Sequence, residues 1–189
     1  MTTNPQIAAI VLAAGQSKRA GPINKLLSPI DGRIMVRAVV ETLTALPINP
    51  VVVVTGFEAP EVAAALSECR VTFAYNPDFA DGMGSSIGCG IAALPDGVDG
   101  ALICLGDMPH VTAGTIRQLI EALEDHGICV PAVAGRRGNP VLFAKSYFTA
   151  LKSIDGDRGG KKIMDANPDR VLEVAVGDEG IFIDHDRVG

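Results

Sequence analysis

Along this chain, short runs of consecutive apolar residues alternate with longer segments in which apolar positions recur every three or four residues. The runs are IAAIVLAA (7–14), PVVVVTG (50–56), VTFAYN (71–76), GALICLGD (100–107), ICVPAV (128–133), GNPVLFA (138–144) and VLEVAV (171–176). Short runs rich in β-branched residues predict strands. Between them, MVRAVVETLTAL (35–46), EAPEVAAALSEC (58–69) and TAGTIRQLIEALEDHG (112–127) carry the helical period. The last of these opens on a threonine able to cap and closes on Gly127. Strands alternating with helices predict βαβ units and a largely parallel sheet, and the apolar residues of both kinds of element are read as its core.

In such sheets a ligand gathers at the carboxyl ends of the strands, so the polar residues just after each run carry the functional question. They are Gly15 to Lys25 after the first run, Thr55 and Gly56 after the second, Asn76 with DGMGSSIGCG (81–90) after the third, and Gly106 with Asp107 after the fourth.

Composition narrows the class. The 189 residues fit one domain, 1–189, without disulfide or structural metal, and 48% apolar with 20% charged residues is the balance of a compact α/β protein. No apolar run approaches the ~18 residues of a membrane span, and MTTNPQ lacks the basic start of a signal peptide, so a cytoplasmic protein with no membrane partner is expected. A net charge of -6 argues against a nucleic-acid partner. Cys69, Cys89, Cys104 and Cys129 form no C-x-x-C pair, and His110, His126 and His185 have no metal spacing. Neither a zinc site nor a disulfide frame is indicated.

The first loop, GQSKRAGPINK, fits neither G-x-x-x-x-G-K-[ST] nor G-x-G-x-x-G. A glycine at a strand end still lets backbone N–H groups turn toward an anion, with Arg19 and Lys25 as added charge. Pattern alone leaves this open against a solvated basic loop. Asp107 emerges from ALICLGDMP at the ligand edge, suited either to hold Mg²⁺ beside substrate phosphates or to act as a turn or cap residue. A second carboxylate would favour the metal, and GIFIDHDR supplies Asp184, with Asp186 two residues on. DGMGSSIGCG reads as a glycine-rich loop for close approach to a flat ligand, or as a turn with Ser85 or Ser86 capping the helix-like IAAL. GDRGGKKI (156–163) reads as a lid over an anion or as a solvated connection. No G-x-S-x-G elbow supports a Ser-His-Asp arrangement.

Taken in order, LAAGQSKRAG with Lys25, NPDFADGMGSSIGCG, LGDMP, GNPVLF, GDRGGKKI and FIDHD resemble the MobA-like nucleotidyltransferases over nearly the whole chain, and most closely the molybdenum cofactor cytidylyltransferases. The resemblance implies a three-layer Rossmann-like nucleotidyltransferase fold of α/β class with a mostly parallel central sheet. It implies transfer of CMP from CTP, with Mg²⁺, to the terminal phosphate of molybdopterin bearing molybdenum, with release of pyrophosphate. By the same resemblance Leu12, Ala13, Ala14 and Gly15 meet the nucleotide, Arg19 and Lys25 the triphosphate, and Gly82 and Ser86 the base and ribose. Asp107 and Asp184 correspond to metal ligands, which makes Lys25, Arg19 and Asp107 the catalytic set.

The AAG form after the first strand, where guanylyltransferases tend to have AGG, favours CTP over GTP within the family. Three features depart from its pattern. Ala20 with Pro22 and Ile23 alters the first loop, Asn139 replaces a histidine before Pro140, and HDRVG follows Asp184 in place of the usual TPED continuation. The competing expectations are a guanylyltransferase on the same cofactor, a transferase for a sugar phosphate, and a nonenzymatic carrier that delivers the cofactor to a molybdoenzyme apoprotein. A protein partner of that kind, apoprotein or chaperone, is identified by no residue pattern.

Overall fold

The computed structural model describes residues 5–16, 24–123, 127–154, 156 and 159–185. All seven apolar runs form strands: β1 (Ile7–Ala13), then β4 (Val51–Thr55), β5 (Thr72–Tyr75), β6 (Gly100–Leu105), β7 (Ile128–Val133), β9 (Val141–Ala144) and β10 (Val171–Ala175). Short pairs make up the remainder, β2 (Pro29–Ile30) with β3 (Arg33–Ile34), and β8 (Arg136–Arg137) against β7. The main sheet runs in the order β10-β7-β9-β6-β1-β4-β5. Pairings of β1 with β4 and β6, of β4 with β5 and of β7 with β10 are parallel, whereas β9 lies antiparallel to both neighbours. The sheet is therefore mostly parallel, as the alternation of strands and helices predicts. The exception follows from a tight hairpin after β7, where Ala134 and Gly135 both take positive φ and turn the chain back.

Both faces of the sheet are covered, which is why its central strands carry no polar alternation. Helices α1 (Met35–Thr44), α2 (Ala59–Ala65) and α4 (Ala113–Ala122) lie over Ala9, Val11, Val53 and Leu102. On the other face, Ile10, Val52, Val54 and Ile103 meet α3 (Met83–Ala92), α5 (Phe148–Lys152) and α6 (Lys161–Ala166).

Two expectations change. The stretch read as a glycine-rich loop is mostly helix, because α3 runs from Met83 through five of its glycine and serine positions. Its glycines are there for packing: a Cβ on Gly90 would clash with Ile10 Cγ2, and one on Gly88 would lie 3.0 Å from the Lys152 carbonyl. Close contact with β1 and α5 outweighs the low helix propensity of glycine. Nor does Ser85 or Ser86 cap this helix, since its N-cap position is Gly82, at φ 107°. Thr112 does cap α4 as expected, its hydroxyl accepting from the Thr115 N–H at 3.3 Å. The helical stretch to Gly127 is described only as far as Leu123; His126 lies outside the described residues.

Candidate functional site

From β1 the chain proceeds to β4 and β5 on one side and then returns to β6 on the other, so the gap beyond β1 and β6 is where the strand order reverses. Open α/β sheets bind ligands at such a reversal. Leu12 pairs with Leu105, and just beyond that register the Gly106 N–H donates to the Leu12 carbonyl at 3.1 Å. A Cβ on Gly106 would lie 2.9 Å from that oxygen, so only glycine lets the two strand ends approach this closely. Ala13 and Ala14 are buried, and the Ala14 carbonyl accepts from the Phe57 N–H at 3.1 Å. Gly15 stands exposed, with nothing among the described residues within 4 Å of its Cβ direction. Arg19, together with Lys18, Ala20, Pro22 and Ile23, lies outside the described residues.

The chain re-enters at Asn24, whose buried side chain accepts from the Leu26 N–H at 3.1 Å and caps a 3₁₀ turn over Lys25–Leu27. Leu26, buried in the core beneath α1, anchors the turn. Lys25 is thereby aimed at the end of β6, where its Nζ lies 2.6 Å from Asp107 Oδ2. The two side chains are only 15% and 17% exposed. A charge-assisted bond this short, partly withdrawn from water, fixes both groups. The sequence treats Lys25 and Asp107 as the phosphate and metal halves of a site; the structure joins them directly.

Asp184 arrives by a different route. After β10 the chain crosses the ends of β6 and β7, held by polar contacts and one close glycine approach. The Asp178 Oδ2 accepts from the Thr112 N–H (2.9 Å), Thr112 Oγ1 (2.9 Å) and Thr115 Oγ1 (2.7 Å), and Oδ1 accepts from the Gly180 N–H at 2.9 Å. Burial pushes the Asp178 carboxyl upward, but the Thr112 N–H, the two threonine hydroxyls and the Gly180 N–H outweigh it and hold the group below the usual carboxylate range. A Cβ on Gly180 would clash with the His110 carbonyl, so the segment presses directly on the loop after β6. Asn139 donates its N–H to the Ile181 carbonyl at 3.1 Å, and His185 donates its N–H to the Asp107 carbonyl at 3.2 Å. That last bond holds the residue after Asp184 against the Asp107 backbone, with Asp184 itself exposed. The His185 ring lies 5.1 Å from that of His110, and its Nε2 is buried without a hydrogen-bond partner among the described residues.

The loop after β5 forms a third wall. Asn76, buried, donates from Nδ2 to Ser85 Oγ at 2.9 Å and Ser86 Oγ at 3.0 Å, while its Oδ1 accepts from the Asp78 N–H at 3.0 Å. Ser85 donates toward the Gly82 or Asp78 carbonyl, each at 2.9 Å. Ser86 is 5% exposed, so it holds the start of α3 in place, while Gly82 presents half-exposed backbone. Asn76 is the organiser of this wall; the sequence marked it only by its position after a strand. The tail contacts of Asp178 carried no sequence signal, because its partners lie more than sixty residues away. Of GDRGGKKI, Asp157 and Arg158 are outside the described residues; Gly159 lies against Met83, and Ile163 is the buried residue of α6. Cys104 and Cys129 are buried thiols, the latter pushed up to about 11 by burial, in keeping with core packing.

The family model described as MobA-like NTP transferase domain matches residues 9–171. The chain belongs to the MobA-like NTP transferase family. This makes it a nucleotidyltransferase, with the gap beyond β1 and β6 as the region where its motifs converge. Among curated relatives, the chain is 30% identical over 99% of its length to nicotine blue oxidoreductase of Paenarthrobacter nicotinovorans, covering 95% of that protein. It is 28% identical over 90% of its length to the bifunctional protein GlmU of Shouchella clausii, of which it spans 36%. Among solved structures, Rv0371C of Mycobacterium tuberculosis H37Rv in complex with manganese superposes with a TM-score of 0.79 at 26% identity, over 90% of this chain and 88% of that one. No helix among the described residues is long and apolar enough to cross a membrane.

Proposed function

We propose that this MobA-like transferase, acting as one domain over 1–189 in the cytoplasm, moves CMP from CTP to the terminal phosphate of a molybdopterin-type acceptor and releases pyrophosphate. The observation that carries this reading is the 2.6 Å contact between Lys25 Nζ and Asp107 Oδ2 at the strand-order reversal. An ammonium already seated on that carboxylate marks a position where a cation is stabilised, and Asp184, one residue before the His185 anchor, adds a second hard oxygen donor. These residues fit Mg²⁺ or a like divalent ion, with Asp107 and Asp184 as its holders. Such an ion supplies charge neutralisation at the reacting phosphates.

The remaining work falls to the chain. The strand end from Leu12 to Gly15 receives the nucleotide, Gly82 and the Ser86 region border the base and ribose, and Lys25 with Arg19 meets the triphosphate. An acceptor phosphate is ionised at neutral pH, so no enzyme nucleophile is needed. Its oxygen attacks the α-phosphorus as the bond to the β-phosphate oxygen breaks, and Lys25 stabilises the charge that builds on pyrophosphate. GTP as donor, or a sugar phosphate as acceptor, uses the same geometry. The name of the Paenarthrobacter relative invites a redox reading, but the loop after β1 lacks the G-x-G-x-x-G dinucleotide pattern and carries the lysine suited to phosphate.

The deciding experiment incubates the protein with Mg²⁺ or Mn²⁺, each nucleoside triphosphate in turn and molybdopterin, reading pyrophosphate and the dinucleotide formed. Product with CTP supports the reading. Product only with GTP transfers the assignment to a guanylyltransferase, and failure with every nucleotide overturns it.

A further inference from the structure

The contact that marks the proposed metal seat also stands in a metal's way. Lys25 Nζ lies 2.6 Å from Asp107 Oδ2, and the two side chains are largely withdrawn from water. A small divalent ion such as Mg²⁺ on that oxygen would sit ~2.1 Å from it. The ion and the ammonium would then be no more than about 5 Å apart, three positive charges around a carboxylate that carries one negative charge. Partly buried charges are screened much less than exposed ones, so this repulsion persists at ordinary salt. Binding through Oδ1 changes little, since both oxygens belong to one small group. A carboxylate so placed takes the ammonium or the ion.

Neither partner can step aside at its backbone. Lys25 opens a 3₁₀ turn pinned from both ends: the Leu26 N–H donates to Asn24 Oδ1 at 3.1 Å, the Ser28 N–H donates to the Lys25 carbonyl at 3.1 Å, and Leu26 is buried. Asp107 is held by the Gly106 N–H on the Leu12 carbonyl before it and by the His185 N–H on its own carbonyl. What remains movable is the four-carbon stem of Lys25, whose ammonium swings as a point charge. Its low exposure means that it exchanges Asp107 for another anion rather than for water. At the strand-order reversal, a triphosphate is that anion.

We propose that Lys25 holds the metal's place on Asp107 until a triphosphate takes the ammonium over, so that the divalent ion is admitted only together with the nucleotide. This rests on the reading of Asp107 as a metal holder given above. The exchange moves one charge by the length of one side chain: Lys25 passes from carboxylate to phosphate oxygens, and Asp107 turns to the ion that the same phosphates bring. Metal and nucleotide affinities are thereby coupled through Lys25, each raising the other by the same factor.

Water-proton relaxation in Mn²⁺ titrations of the intact chain reads ion binding without turnover. Wild type with Mn²⁺ alone is expected to bind weakly. Lys25→Met, which keeps the stem and removes the charge, is expected to bind Mn²⁺ alone roughly 10-fold tighter or more, since the competent state no longer has to be freed first. Lys25→Ala is a second neutral variant with the same expectation, and Lys25→Arg, still charged, should stay as weak as wild type. Adding Asp107→Asn to Lys25→Met should abolish the gain. A CTP analogue with methylene between the α- and β-phosphorus should bring Mn²⁺ onto wild type, and should raise the Mn²⁺ affinity of Lys25→Met by a smaller factor. Mn²⁺ alone binding wild type as tightly as both neutral variants overturns the interlock while leaving Asp107 as the holder. Tight binding that survives Asp107→Asn, or no binding by any chain even with the analogue, overturns the metal reading of Asp107 and the interlock with it.

Discussion

The two carboxylates proposed for the site are positioned by opposite means. Asp107 sits two residues past β6, a strand with Ala101, Leu102 and Cys104 buried and with parallel β1 beside it, so its place is set by strand register and by the Gly106 contact with Leu12. Asp184 sits at the end of a segment without strand or α-helix, placed by Asp178, Gly180, the Asn139 N–H and the His185 N–H. One is fixed by the core, which cannot yield without unfolding the sheet. The other is fixed by a few polar bonds worth about 1 kcal/mol each, so it can loosen while the fold survives. A site built from both is rigid on its Lys25 and Asp107 side and adjustable on its Asp184 side.

Removing the rigid side should have the largest effect. Asp107→Ala or Lys25→Ala is expected to lower the pyrophosphate release rate ~100-fold or more, the usual cost of losing a group that stabilises charge in the reaction. Circular dichroism should show the sheet retained. Full rates in both variants would remove this pair from the reaction and leave only its structural contact.

The adjustable side is best probed at Gly180. A Cβ there meets the His110 carbonyl, so Gly180→Ala must displace the segment carrying Asp184. A rate loss on the order of 10-fold, with a fall in Tm of only a few degrees, is expected from a displacement that leaves the core intact. Gly90→Ala makes the contrasting control, because its Cβ strikes Ile10 in the core and should cost about 1–3 kcal/mol of stability. If Gly180→Ala lost as much stability as Gly90→Ala, the tail would belong to the cooperative core after all.

The smallest effect expected is at Asp178, and it is sharpened by pH. Its folded-state carboxyl lies below the usual range, so it contributes stability above about pH 4, the ordinary value in an unfolded chain. That contribution fades as pH falls through the lower folded value. Asp178→Asn should therefore lose about 1–2 kcal/mol in urea unfolding at pH 7, from weakened bonds to Thr112 and Thr115, and progressively less as pH falls from about 4 through the lower folded value. An equal loss across that range would mean that the ionised form has no special role.

Where burial dictates structure, the fold was legible from one dimension. Each apolar run became a strand, and the central ones are legible because a stretch with both faces covered has no polar alternation to mislead. The direction of β9 was not legible, since it depends on the hairpin at Ala134 and Gly135 rather than on β9 itself. Helix α3 was misread because its glycines are selected by neighbours distant in sequence, Ile10 beneath Gly90 and Lys152 beside Gly88. In the site, residues just past strand ends were visible from position alone, and Lys25 and Asp107 both lay on that list. Asn76 showed by position without its role, and Asp178 not at all.

By itself, then, the sequence determined which segments become strands, that the loops after β1, β5 and β6 gather at one edge, and to which family the ordered motifs belong, because burial and chain order are written locally. Tertiary structure alone decided that Lys25 binds Asp107 across eighty-two positions, and that a polar tail brings the His185 N–H onto the Asp107 carbonyl. Contacts between distant positions have no local period to announce them. They exist only when the sheet has brought both ends together.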